Sequence, residues 1–503
     1  MRKKEVTYSF LAIIIFLGFF SYTNIYQNNY VWDDLHFIKD NRFIQGFHKE
    51  IFTMPIGAGA GPVNRFYRPM QQVAYATVYS LFGPNLGGYH FLSVFFHVGS
   101  AVLLFILIKK LFNKELLAFL TSLLWVIHPI HTESVTYMSG LSAPMMVFFG
   151  LASFLSYIYF REKKKAQFLI ISVALFILAL LSKEIIVTLP LLLIAYELTV
   201  KRSKLHKLKN SAPYFIIIFF YFILRSILNI NSFVHENFYI GVIPRILTFL
   251  NSLLTYYKLL IIPKNLHLDY EVPFLNSLTI PVLLSIIIIG LLAYLGYFYN
   301  KKGKSELSFG ILWFFIAFIP MSGVIRVNNL FFEHWLYLPS IGFFLVLSYL
   351  ILKVFEYHKI LLPSFIIAVV IILVTITLQQ NVIWKDAESL YTHTLKFEKG
   401  TARVHNNLGN ILIARNKLTE AEHHLLTSIN LSKQYRMQSY YNLGRLYFKQ
   451  GKFNQSLIHL HKSVDINPNF FYGYEWLAKV YNATGNYEEY EKFKKLEKKN
   501  KFY

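Results

Sequence analysis

From the N-terminus to about residue 379 the chain is built of long apolar runs separated by short polar stretches; beyond that point the runs stop. A run of roughly 18 or more apolar residues is long enough for a helix to cross a bilayer. Such runs cover 6–26, 88–108, 115–131, 139–160, 166–182, 185–200, 212–230, 280–299, 307–325, 335–352 and 360–379, which predicts about eleven crossings. One further apolar segment, 243–263, carries Arg245, Asn251, Tyr256, Tyr257 and Lys258 between Pro244 and Pro263. That mixture suits a helix lying in the interface rather than a span. Arg2, Lys3 and Lys4 before the first run also fit a signal peptide. No small-residue cleavage site follows it, and Tyr22, Tyr26 and Tyr30 read as an interfacial belt, so a retained anchor is expected.

After residue 380 a different period appears. Asn407-Leu408-Gly409, Asn442-Leu443-Gly444 and Trp476-Leu477-Ala478 recur in register, with turn residues Asn416, Gly451 and Gly485 in phase. Ala421 and Ser456 supply the small residue where two helices approach closely, and Pro468 closes the second unit. This pattern resembles the tetratricopeptide repeat. The third unit has Tyr490 at the small position and then a Lys/Glu-rich tail, as in a terminal cap. The expected organisation is all-α: a polytopic membrane bundle over 1–379 with an outer loop at 27–87, a linker helix over 380–399, and a short solenoid over 400–503.

Composition agrees with the pattern. Of 503 residues, 55% are hydrophobic and 15% charged, and the mean hydropathy is +0.42. A soluble chain carries about 25% charged residues, so a soluble globule is excluded. Cysteine is absent, which excludes disulfides, thiolate metal sites and a cysteine nucleophile. The net charge of +23 would suggest nucleic acid in a soluble protein. Here the basic residues cluster between spans, at Arg2–Lys4, Lys109–Lys114, Arg161–Lys165, Lys201–Lys209, Lys301–Lys304 and Lys353/Lys359, so they mark the cytoplasmic side and no nucleic-acid partner is expected. Many carboxylates, among them Asp33, Asp34, Glu133, Glu184, Glu236, Asp269 and Glu333, then fall on the opposite face together with the C-terminal repeats. The tail from residue 380 holds 19 basic and 11 acidic side chains, a balance that fits an acidic partner or an anionic membrane surface.

The outer face is where chemistry is expected. Val31-Trp32-Asp33-Asp34 places two acids at the end of the first run: one can serve as general base and the other can orient substrate, unless the pair only caps a helix. In Asn64-Arg65-Phe66-Tyr67-Arg68-Pro69, Arg68 can clamp a phosphate bidentately or snorkel at the interface. His128, His131 and Glu133 invite a metal reading, but Pro129 breaks the helix between the histidines, so they are expected to line an outer cavity. Lys183-Glu184 is either a packed ion pair or a contact to an anionic substrate. Asp269, Asn328, Glu333 and His334 return polar groups to the same boundary. Gly57-Ala58-Gly59-Ala60-Gly61 follows no strand and opens no helix, so it is read as a flexible loop and no nucleotide site is visible.

Several motifs in order resemble the transmembrane and tetratricopeptide-repeat-containing O-mannosyltransferases of the GT-C glycosyltransferase superfamily. They are Trp32-Asp33-Asp34, Tyr67-Arg68-Pro69, Gly88-Tyr89-His90, His128-Pro129-Ile130-His131-Thr132-Glu133, Lys183-Glu184, Leu268-Asp269-Tyr270 and Leu336-Tyr337-Leu338-Pro339-Ser340. The family generally has arginine after the glutamate where this chain has His334, so that role passes to His334 or Arg326. The short repeat array resembles that of a prokaryotic relative. The resemblance implies inverting transfer of mannose or another hexose from a polyprenyl-phosphate carrier in the membrane to a protein Ser/Thr hydroxyl. Transfer would occur on the non-cytoplasmic face of an inner or ER-like membrane. Asp33 or Asp34 would be the base; Arg68, Lys183 and His334 would meet the leaving phosphate, and the repeats would recruit the acceptor. No cofactor is required, although two adjacent acids can accommodate a divalent cation. A glycan or lipid acceptor, or a non-catalytic scaffold presenting the repeats, are the alternatives.

Overall fold

The computed structural model describes residues 2–60, 66–230, 240–326, 329 and 331–500. Gly61, Asn64, Arg65, Glu236 and Asn328, singled out above, lie outside the described residues. The described residues form no strand. In chain order the helices are α1 (Arg2–Phe20), α2 (Glu50–Thr53), α3 (Pro69–Phe82), α4 (Leu86–Phe112), α5 (Glu115–Ile127), α6 (Thr132–Val135), α7 (Ser142–Lys163), α8 (Ala166–Ser182), α9 (Leu189–Thr199), α10 (Ala212–Ile227) and α11 (Val242–Ile261). They continue with α12 (Ile280–Lys301), α13 (Ser305–Phe318), α14 (Ser340–Val354), α15 (Leu362–Ile383) and α16 (Ala387–Thr394). Three helix pairs complete the order: α17 (Ala402–Ala414) with α18 (Leu418–Leu431), α19 (Arg436–Lys449) with α20 (Phe453–Ile466), and α21 (Phe471–Ala483) with α22 (Tyr487–Asn500).

Two compact units result: Met1–Leu266 with Val272–Lys385, and His267–Glu271 with Asp386–Tyr503. In the first unit, each run read as a span is helical over most of its length. Among the described residues five helical segments are long and apolar enough to cross a membrane: Leu86–Phe112, Met138–Lys163, Leu208–Ile227, Ile280–Lys301 and Lys359–Ile383. A sixth is a pair bent by 53°, Glu115–Ile127 and Pro129–Val135, broken at the proline noted in the sequence. Ala166–Ser182, Ser305–Met321 and Ser340–Val354 are shorter apolar helices. The segment around α7 is 78% buried inside the protein, whereas those around α12 and α15 are 17% buried, so α7 is central and the other two face outward.

Ion pairs tie helix ends together at one end of this unit. Lys109 meets Glu115 at 2.6 Å and Lys110 meets Glu162 at 2.7 Å, while Lys114 pairs with Glu306 and Arg161 with Glu197. These residues sit at the C-terminal ends of α4, α7 and α9 and the N-terminal ends of α5 and α13. The opposite ends of α5, α7 and α9 lead to or carry Glu133, Ser142 and Lys183, and the 333–340 segment opens α14. Sequence order and helix direction therefore put Glu133 and Glu333 at the end opposite the lysine-rich turns, whose own acids are used up in ion pairs.

Two expectations about the ends of elements differ from the structure. The last apolar helix runs to Ile383, past residue 379, because its polar final turn is anchored: Asn381 donates to Ser21 O (2.8 Å) and Asn24 Oδ1 (2.8 Å) and accepts from Thr136 Oγ1 (2.6 Å), and Trp384 stacks on Tyr137. The glycine-rich segment is packed rather than open, since a Cβ on Gly59 would meet the backbone nitrogens of Arg42 and Phe43 at 2.9 Å.

In the second unit the repeats close as the pattern requires. Gly409 lets Leu425 approach within 2.7 Å of its Cβ position, and Gly444 does the same for Leu460. Gly451, Gly485 and Asn416 take φ of +75°, +74° and +62° at the inter-helix turns, where a left-handed backbone is needed.

Candidate functional site

The site is organised by residues 128–142. His128 ends α5, its Nδ1 accepting from Ile130 N at 3.2 Å, and Pro129 turns the chain sharply. The next residues form short helical turns whose polar groups reach three other parts of the unit. Ser139 donates its N–H (2.8 Å) and hydroxyl (2.6 Å) to Asp34 Oδ1. Glu133 takes His334 twice, through ring Nδ1 to Oε1 at 2.7 Å and backbone N–H to Oε2 at 2.8 Å. Ser142 Oγ lies 3.5 Å from Arg68 Nη1.

The two aspartates of the 31–34 motif have different environments. Asp34 is fully buried and its second oxygen accepts from Val31 N at 3.0 Å; it caps no helix with its side chain. Burial pushes its carboxyl up to about 7 against the opposing pull of the Ser139 and Val31 hydrogen bonds. Asp33 keeps partial exposure, and its N–H donates to Tyr137 Oη at 3.1 Å. Trp32 just before it has a φ of +52°, a costly conformation for a bulky side chain, of order 1–3 kcal/mol. The motif runs directly into a π-helical turn, Leu35–Lys39. Such turns and such strain concentrate at functional sites. Asp34 pins the motif to the 138–139 turn, whereas Asp33 is a residue of intermediate burial.

A second group surrounds the turn between α8 and α9. Arg68, 9% exposed, reaches Glu184 through Nη2 to Oε1 (3.3 Å) and Nε to Oε2 (3.5 Å), and its guanidinium lies 4.5 Å from the Phe66 ring. Lys183 is 5% exposed, yet its ammonium has no hydrogen-bond or ion-pair partner among the described residues. Burial, reinforced by the Arg68 charge, lowers it to about 7, and Glu184 and Glu133 partly offset this. Arg225, buried on α10, adds a further positive charge felt by Glu184. An unpaired buried ammonium beside an arginine is suited to receive an anion.

The remaining predicted residues are placed differently. His128 and His131 are buried rather than lining an outer cavity: His131 packs among Trp125, Tyr337 and His97, with ring centroids 4.9, 4.9 and 5.6 Å away. Proline at 129 turns both rings into the core. Tyr337 and Ser340 of the 336–340 motif hold His97 and Trp125. Glu333 is 2% exposed, beside Tyr256, whose hydroxyl lies 3.3 Å from Phe332 O. Asp269 belongs to the second unit, where Arg403 Nε meets its Oδ2 at 3.2 Å and a second guanidinium nitrogen takes Oδ1. Sequence reasoning missed Ser139, Ser142, Tyr137 and Arg225. Only Arg225 carried a signal, as a charge inside an apolar run. Among the described residues no three His, Asp or Glu side chains converge to hold a metal ion.

Comparison with known proteins extends this picture. The dolichyl-phosphate-mannose-protein mannosyltransferase profile matches residues 68–228, and the tetratricopeptide repeat profile matches 400–469. The first match covers Arg68, Glu133, Lys183, Glu184 and Arg225. Protein O-mannosyl-transferase F38B6.6 of Caenorhabditis elegans is 28% identical over 84% of this chain and 63% of its own length. Human Protein O-mannosyl-transferase TMTC3 is 24% identical over 95% of the chain and 57% of its own, and human TMTC1 is 24% identical over 84% and 54%. The chain thus spans between about half and two thirds of the length of these relatives. Fold and profiles together describe a membrane protein, all-helical over the described residues, with a mannosyltransferase-like segment and a tetratricopeptide array. The chain is thus similar, over most of its length, to proteins named protein O-mannosyl-transferases, and carries the two domain types in the order of the profiles matched.

Proposed function

We propose that this protein is an integral-membrane glycosyltransferase that moves a hexose, mannose on the family's pattern, from a polyprenyl-phosphate carrier to a protein Ser/Thr hydroxyl. The observation that carries the reading is that residues 128–142 tie the partly exposed residue Asp33 into the same helix-end cluster as Lys183, a buried cation with no hydrogen-bond or ion-pair partner among the described residues. Asp33 takes the proton of the acceptor hydroxyl as its oxygen bonds to the anomeric carbon. The bond from that carbon to the phosphate oxygen breaks on the opposite face, inverting the centre. The charge that builds on the phosphate is met by Lys183 and by Arg68, which exchanges part of its hold on Glu184 for the ligand. His334, held by Glu133, occupies the place of the family's arginine and supplies a hydrogen bond. General-base help of this kind contributes typically 10²–10⁴-fold. The lipid tail of the donor lies along the bundle within the bilayer, so no nucleotide site is needed.

The lysine-rich turns at the other end of the helices support placing this chemistry on the non-cytoplasmic face of an inner or ER-like membrane, with eleven crossings and the repeats on the same side. The repeats recruit the protein acceptor. A linker and repeats from 400 remain part of this reading, with the membrane domain closing after the lengthened last helix rather than at residue 379.

The test is transfer by Asp33→Asn and Asp34→Asn chains in membranes, followed by intact mass of an acceptor protein. Asp33→Asn is expected to lose at least about 100-fold in rate at unchanged expression, whereas Asp34→Asn loses activity together with stability. Full transfer by Asp33→Asn refutes the assignment of the base.

A further inference from the structure

In the first unit, the start of α11 and the turn that follows α13 pack on each other around an arginine. Gly323 in that turn takes φ of +85°, and a Cβ on it would meet the Arg245 carbonyl carbon at 2.6 Å and its oxygen at 2.7 Å. Glycine is what lets the two backbones lie this close. Arg245 stands in the first turns of α11 and folds back over the helix start, its Nε donating to Gly241 O at 3.3 Å. Gly241 at the N-cap offers no capping side chain to the N–H groups of Val242 and Ile243, and Pro244 has no N–H. The helix start therefore presents unanswered donors and the positive end of its dipole.

Arg245 is 6% exposed, and its Nη1 is buried with no acceptor among the described residues. Arg68 and Arg161 in the same unit each meet a carboxylate, Glu184 and Glu197. The charge that Arg245 feels is instead that of Arg326, which together with burial holds it below the usual arginine range. A guanidinium at a membrane boundary ordinarily avoids this cost by reaching out to water, and Arg245 does not. A helix start and two guanidinium groups without a carboxylate form a place for an anion. Val242 and Ile243 on one element, and Val324 and Ile325 on the other, stand exposed beside the two arginines in sequence. That apolar rim fits an anion that carries acyl chains rather than a free ion.

We propose that the start of α11 and the 322–326 turn form a phospholipid site: the phosphate of an anionic membrane lipid accepts from the Arg245 guanidinium beside Arg326, and its acyl chains cover Val242, Ile243, Val324 and Ile325. Because α13 runs away from the lysine-rich turns, this site lies at the other end of the bundle from the basic clusters that attract anionic lipid by charge alone. It uses neither Lys183 nor Arg68, and it holds whether or not the chain transfers a sugar. Charge complementarity and the apolar rim select this occupant; inorganic phosphate and the polyprenyl-phosphate carrier are the competing outcomes.

The experiment uses the full chain in nanodiscs of phosphatidylcholine containing a phosphatidylglycerol with a photoreactive acyl chain, and maps the labelled peptides by mass spectrometry. Labelling is expected on peptides holding Val242–Arg245 and Val324–Arg326. Arg245→Gln should reduce it there about tenfold or more, Arg245→Lys should retain part of it, and labelling at the lysine-rich turns should be the same in all three chains. In the unaltered chain, plain phosphatidylglycerol should compete for these peptides about tenfold better than diacylglycerol, which has the same tails and no phosphate. That comparison keeps the test valid if a variant fails to fold. Equal competition by the two lipids, undiminished labelling in Arg245→Gln, displacement by inorganic phosphate alone, or displacement by polyprenyl phosphate in preference to phosphatidylglycerol would overturn the inference.

Discussion

Asp34 should make the stability of this protein depend on pH in a way that a single substitution removes. Its carboxyl is buried and raised from 3.8 to about 7 in the folded state. A raised acid favours the protonated form in the folded protein, so the stability it contributes is complete below about pH 4 and is lost as pH rises through about 7. At about 1.4 kcal/mol per pH unit over roughly three pH units, the loss is about 4 kcal/mol. The amide in Asp34→Asn does not titrate, so this component disappears, while its NH2 group faces Val31 N–H and leaves one buried donor unpaired at about 1–3 kcal/mol. Denaturant titration in mixed micelles at several pH values between about 4 and 8 compares the two chains. The unaltered chain should lose about 4 kcal/mol more than Asp34→Asn across that interval. Parallel stability curves would refute the reasoning, because they would show that Asp34 does not change protonation inside the fold.

Other consequences follow from the same arrangement. Lys183→Gln should raise the donor KM by about tenfold to a hundredfold with little change in fold, since a charge-assisted contact of about 1.5–3 kcal/mol is lost. In the unaltered chain donor affinity should fall as pH passes about 7, where the Lys183 ammonium deprotonates, and the variant should lack that step; initial rates against donor concentration at several pH values decide this. In the repeat unit, a double-mutant cycle of Asp269→Asn and Arg403→Gln should give a coupling of about 1–2 kcal/mol in thermal or denaturant unfolding, and additivity would show that the pair is not a structural tie.

Much of the architecture could be read along the chain, because a bilayer and a tetratricopeptide array each impose a local period on the sequence. The apolar runs, the break at Pro129 and the phase of Asn416, Gly451 and Gly485 are all local signals. The site is less legible because it is assembled at long range: Ser139 meets Asp34 across 105 residues, Glu184 meets Arg68 across 116, and His334 meets Glu133 across 201. The adjacency of Asp33 and Asp34 pointed to chemistry but could not say that one is fully buried and the other only partly, since Ser139 decides it. Asp269 looked like a further outer-face acid; only the fold shows it held by Arg403. His128 and His131 had the composition of a polar lining, yet Pro129 turns both into an aromatic core. The end of α15 was misjudged for a related reason, as Asn381 looks like the close of an apolar run and is in fact its anchor.

The most direct measurement of the central claim is reconstitution of the purified chain with defined donors. A synthetic polyprenyl-phosphate mannose, a nucleotide-activated mannose and a Ser/Thr-containing acceptor protein are incubated with the unaltered chain and with Asp33→Asn, and the acceptor is analysed by intact mass and peptide sequencing. The account predicts that one or more hexoses appear on Ser or Thr only with the lipid-phosphate donor and only with Asp33 present. Transfer from the nucleotide-activated sugar without the lipid, or undiminished transfer by Asp33→Asn, would contradict it.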